Sequence, residues 1–179
     1  YAGLADSVAL PEERAGAYAK WTVSKEPVGV VGAIVPWNGP IFLAMFKIAP
    51  ALLAGCTIVL KPSPESPLSA YLLAEALEAA DFPPGVLNIV PGDRDAGRHL
   101  VRHPGVDKIA FTGSTAAGKM IMADCANDLK RVTLELGGKS PAIVLDDADI
   151  AASMGAILFG FTQNNGQICV SNSRLIVPR

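Results

Sequence analysis

Apolar runs of strand length alternate with helical patterns along this chain, and that alternation restricts the fold more than any other feature. "PVGVVGAIVP" (27–36), "TIVLKPS" (57–63), "VLNIVPG" (86–92) and "KIAFTG" (108–113) read as strands. "RVTLELGG" (131–138), "AIVLDDAD" (142–149) and "SRLIVP" (173–178) add three further extended segments. Between them, "IFLAMFKIAPALLAG" (41–55) predicts a helix with a proline irregularity. A second helix is expected to take Ser66 as its cap and Pro67 in its first turn. Its Leu68, Leu72, Leu73, Ala76, Leu77 and Ala80 share one face, and Pro83-Pro84-Gly85 ends the unit. A short helix through His99, another over 115–128 and a largely apolar one from Ile150 follow. The pattern predicts an α/β fold with a mainly parallel sheet covered by helices on both faces. A boundary is expected at Gly137-Gly138, where the chain enters another domain.

The totals narrow the function classes. With 179 residues, half of them apolar, the chain holds one domain with a sizeable core, or a domain and part of another. A net charge of −2 without a basic block argues against nucleic acid as a partner. Cys56, Cys125 and Cys169 are widely spaced and no histidine cluster accompanies them, so no metal is expected and the thiols read as free, in a reducing compartment. The uncharged run Pro27 to Phe46 has the length of a membrane span. Pro36 and Pro40 interrupt it around a Trp-Asn-Gly turn, so a strand, a turn and a helix are expected instead, in a soluble cytoplasmic protein with no membrane partner. The chain starts at Tyr1 and ends at Arg179 after an apolar run, which predicts a piece of something longer.

Ligands of open parallel sheets gather at the carboxyl ends of the strands. Those ends carry Trp37-Asn38, Lys61 and Gly113-Ser114-Thr115 here. "FTGSTAAGKM" resembles a phosphate loop, but Met120 stands where a magnesium-binding hydroxyl is required. A metal-free pyrophosphate site at a helix N-terminus fits these residues better than a triphosphatase. Cys56 and Cys125 sit in apolar or helical surroundings and read as structural. Cys169 lies in "NNGQICVSNSR", a polar, glycine-containing stretch of the kind accessible thiolate chemistry requires. Glu135, in "VTLELGGK", reads either as an outward-facing strand residue or as a partly desolvated general base.

Six stretches together resemble the aldehyde dehydrogenase superfamily. They are "PWNGP" (36–40), "LKPSPESPLSA" (60–70), "PPGVLNIVPG" (83–92), "FTGSTAAGK" (111–119), "LELGGKSPAIVLDDAD" (134–149) and "NNGQICVSNSR" (164–174). The resemblance implies a Rossmann-like NAD(P)-binding domain over 1–137 and the beginning of an α/β catalytic domain over 138–179. It implies Cys169 as nucleophile, Asn38 as oxyanion donor and Glu135 as the base that activates water. It implies cofactor contacts from Pro36, Trp37, Asn38, Lys61, Ser63, Gly113, Ser114 and Leu136, and a supporting role for Lys47. The substrate class would be a small-molecule aldehyde, the cofactor NAD with NADP as the alternative, and the full-length parent a homo-oligomer. A ribose-binding glutamate often stands three positions after the family's lysine; here that position is Pro64, and Glu65 follows it. The rival reading is a nucleotide-binding module without catalysis.

Overall fold

The computed structural model describes residues 1–7 and 11–179. A short 3-10 turn over Ala2–Ser7 is followed by a hairpin of β1 (Glu12–Ala15) and β2 (Lys20–Val23), exposed along its whole length. The body is a five-stranded sheet in the order β5-β4-β3-β6-β7, and every pair in it is parallel. Its strands are β3 (Val30–Ile34), β4 (Thr57–Lys61), β5 (Leu87–Ile89), β6 (Lys108–Gly113) and β7 (Arg131–Leu136).

The central strands β3, β4 and β6 are almost wholly buried, which is why they are written as continuous apolar runs. α1 (Pro40–Leu53) and α2 (Pro67–Ala79) cover one face, where Ala44 and Ile48 meet Val31, Ala33, Ile58 and Leu60. α3 (Arg94–Arg102) and α4 (Thr115–Ala126) cover the other, where Val101, Ile121 and Cys125 meet Ile34, Ile109 and Phe111. The expected doubly covered parallel sheet is the one observed. Strand order builds outward from β3 in one direction and then restarts beside β3 with β6. That reversal leaves a crevice between the carboxyl ends of β3 and β6.

After β7 the chain leaves this sheet. β8 (Ser140–Ile143) and β9 (Asn172–Ile176) form a separate parallel pair joined through α5 (Ile150–Thr162). The extended segment expected over 142–149 is shorter and earlier, because Asp146 and Asp147 fall in a turn and Asp149 caps α5, its carboxylate accepting from Ala152 N–H at 3.0 Å. Ser66 does occupy the N-cap position of α2, but its hydroxyl makes no capping bond and is buried without a partner among the described residues. Pro67 takes the first turn as expected. No helix among the described residues is long and apolar enough to cross a membrane.

Candidate functional site

Two clefts meet the sequence-predicted residues. The first, of about 430 Å³, opens at the β3–β6 crevice and is lined by Pro36, Trp37, Lys61, Ser63, Gly113 and Ser114. β3 delivers Pro36 and Trp37 from its carboxyl end, β4 delivers Lys61, and β6 runs out at Gly113. Gly113 is required by packing, since a Cβ there would stand 2.5 Å from Phe111 Cζ. Ser114 caps α4, its Oγ accepting from Ala117 N–H at 3.2 Å, so the helix presents its positive end to the cleft.

Lys61 is only 6% exposed, and its Nζ donates to the Pro62 carbonyl at 3.0 Å. Gly97 of α3 faces its stem: an added Cβ would make an ordinary contact 3.5 Å from Lys61 Cδ. Burial pulls the ammonium below the usual lysine range, while Glu65 and Asp93 oppose that fall. The Ser63 hydroxyl donates to the Glu65 carboxylate. That bond is the main reason the carboxyl lies below its ordinary range, with Lys61 adding to it. Glu65, the residue after Pro64, lines the cleft, and Asp93, Arg94 and Arg98 join it without having been expected there. Of these three, Asp93 alone carried a signal, as an aspartate just before a helical stretch; its carboxylate caps α3 through Asp95 and Ala96 N–H groups.

The second cleft, of about 540 Å³, lies between α1 and the part of the sheet that no helix covers. β7 alternates, sending Val132, Leu134 and Leu136 into the α3–α4 core and Arg131, Thr133 and Glu135 to the open side. Glu135 is thus an outward-facing strand residue that faces this cleft. Lys47 enters from α1, 8% exposed, and burial brings its pKa down from 10.5 to about 8, with the Glu135 charge opposing the fall. Cys169 lines the same cleft as an exposed free thiol. Cys125, in contrast, is buried in the α4 core, and burial pushes its thiol up. Cys56 is buried at the end of β4's approach, as its apolar neighbours predict.

Asn38 connects the two halves. Its Nδ2 donates to the Gln167 carbonyl at 2.7 Å, two residues before Cys169, while its Oδ1 is buried without a partner among the described residues. Gln167 acts through its backbone, so no side-chain pattern could have singled it out. Leu136, like Asn38, lines neither cleft. Its side chain packs away from both clefts, close to Gly118 of α4, where a Cβ would stand 2.7 Å from Leu136 Cδ2. No group of three or more metal-ligating side chains exists among the described residues.

A doubly wound parallel sheet with a glycine turn at its reversal, beside a cleft lined by an exposed cysteine and a carboxylate, defines an α/β protein of the Rossmann type. The chain belongs to the aldehyde dehydrogenase family, whose pattern it matches over residues 1–179. It is 55% identical over 179 residues to geranial dehydrogenase of Castellaniella defragrans, covering 99% of this chain and 37% of that protein. The structure of an aldehyde dehydrogenase of Mycobacterium tuberculosis complexed with NAD+ matches with a TM-score of 0.96 and 53% identity, over 99% of this chain and 37% of that one. The NAD+ complex of a Bacillus cereus aldehyde dehydrogenase matches with a TM-score of 0.95 and 44% identity, over 99% and 36%. The chain therefore spans little more than a third of the length of these relatives.

Proposed function

We propose that this chain is the cofactor-binding and nucleophile-bearing part of an NAD(P)-dependent aldehyde dehydrogenase, with residues 1–137 as the NAD(P)-binding domain and 138–179 as the start of the catalytic domain. The overall reaction is aldehyde + NAD(P)+ + water → carboxylic acid + NAD(P)H + H+. The observation that carries this reading is the exposed Cys169 thiol sharing one cleft with Glu135, on a loop tied to Asn38 at 2.7 Å.

In this mechanism the Cys169 thiolate attacks the aldehyde carbon, and the Asn38 amide with the Cys169 backbone N–H stabilises the oxyanion. NAD, when bound in the first cleft, supplies the acceptor for the hydride released as the adduct collapses to a thioester. Glu135 then takes a proton from water, which attacks the thioester and frees the acid. The first cleft suits a dinucleotide: the N-terminus of α4 and the Gly113 turn meet a pyrophosphate, and the buried Lys61 meets a ribose. The Glu65 carboxylate, held by Ser63 beside Lys61, takes the place of the ribose-binding glutamate and repels a 2′-phosphate, which favours NAD over NADP. Three free cysteines suit a reducing compartment such as the cytoplasm, and a homo-oligomer is the expected state of the full-length enzyme.

The test is Cys169→Ala in the full-length enzyme. Loss of both NADH formation and esterase activity is expected, with NAD binding kept; near-normal turnover would overturn the assignment and leave a nucleotide-binding module.

A further inference from the structure

Cys169 follows an unusual piece of backbone. α5 ends at Thr162, and then three consecutive residues take left-handed conformations: Asn164 (φ 50°, ψ 39°), Asn165 (φ 56°, ψ 30°) and Gly166 (φ 74°). Left-handed backbone is disfavoured for L-residues because Cβ crowds the following carbonyl, and Asn and Gly tolerate it best. A run of three such residues persists only where the surroundings hold it. Here the turn is closed by Gln167 N–H donating to the Asn164 carbonyl at 3.0 Å.

The turn aims one group. The Gln167 carbonyl accepts from Asn38 Nδ2 at 2.7 Å and from Asn164 Nδ2 at 3.3 Å, so two side-chain amides converge on one oxygen. Two residues on, the Cys169 carbonyl faces Gly138, where an added Cβ would stand at an ordinary contact distance of 3.4 Å. The segment carrying the thiol is thus held by the two amides at the Gln167 carbonyl. Asn38 depends on the same bond: it is the one hydrogen bond its side chain makes among the described residues, and its Oδ1 is already unpartnered. A relaxed turn would move the Gln167 carbonyl and free Asn38 and Cys169 from each other together.

We infer that the left-handed turn Asn164–Gly166 locks the thiol of Cys169 to the amide of Asn38 through the Gln167 carbonyl, with Asn164 and Asn165 as positioning residues. Asn164 contributes its backbone and its second amide to Gln167; Asn165 contributes only a backbone that a β-branched residue resists. The inference rests on the reading of Cys169 as nucleophile, and its test has a readout that does not need that reading.

The full-length enzyme is prepared as wild type, Asn165→Val, Asn165→Gly and Asn164→Gly, and Cys169 alkylation by iodoacetamide is followed by peptide mapping beside the steady-state kinetics. Asn165→Val is expected to change the alkylation rate and lower kcat by about tenfold or more, with KM for NAD unchanged, while Asn165→Gly returns both to within about twofold of wild type. Asn164→Gly, which admits the turn but lacks the amide, is expected to lower kcat by about threefold to tenfold, again with KM for NAD unchanged. Wild-type alkylation and kcat in both Asn165→Val and Asn164→Gly would overturn the inference. Should Asn165→Val fail to fold, Asn164→Gly decides alone. A Cys169→Ala enzyme that still turns over would sink the nucleophile assignment, whereas the alkylation rates would still report whether the turn positions that thiol.

Discussion

Lys47 offers a prediction whose size comes directly from its surroundings. It is a lysine 8% exposed on the inner side of α1, and burial lowers its pKa from 10.5 to about 8. The unfolded chain holds that proton more tightly than the folded one, so the buried charge opposes folding fully below about pH 8. Converted at about 1.36 kcal/mol per tenfold, the fall from 10.5 to about 8 amounts to ~3 kcal/mol. Stability contributed through this group therefore rises with pH between about 8 and 10.5 and is flat outside that window. Lys47→Met keeps the apolar stem and removes the charge. In urea unfolding of the enzyme it should add ~3 kcal/mol at about pH 7, shrinking to ~1 kcal/mol at about pH 9.5. A variant destabilised equally at both pH values would refute the reasoning, because it would mean that the ammonium is well paired in the fold rather than merely tolerated.

Three further outcomes are expected. Glu65→Ala should raise KM for NAD and narrow the preference for NAD over NADP by about tenfold, measured as the ratio of kcat/KM values, because the carboxylate that Ser63 holds beside Lys61 is gone. Gly118→Ala should cost about 1–3 kcal/mol in unfolding experiments, since its Cβ would stand 2.7 Å from Leu136 Cδ2 inside the α4–β7 contact. Ile58→Ala, at a fully buried position of β4, should cost ~2–5 kcal/mol in the same assay while leaving KM for the aldehyde unchanged.

The sheet was legible because β3, β4 and β6 are buried on both faces and so carry apolar runs that nothing else explains. The hairpin β1–β2 left no comparable trace: all eight of its residues are exposed, so no face selects an apolar alternation. Strand ends were overextended wherever an apolar residue continued past the last ladder pair, as at Val90 beyond β5, 45% exposed. The proposed site was legible where its candidates are side chains, at Cys169, Glu135, Lys61 and Asn38. It was not legible where backbone is involved, at Gln167, or where two distant segments must meet. The approach of Lys47 to Glu135 joins α1 to β7, and sequence spacing says nothing of such a distance.

The account stands on covalent chemistry at one sulfur. Its most direct measurement is intact-mass analysis with peptide mapping of the full-length Glu135→Gln enzyme, mixed with NAD+ and a small aldehyde and quenched within seconds. Without the base, the thioester should accumulate after one equivalent of NADH, and the acyl group should map to Cys169. An acyl group on Cys56 or Cys125, or continued NADH production with no adduct at Cys169, would contradict it.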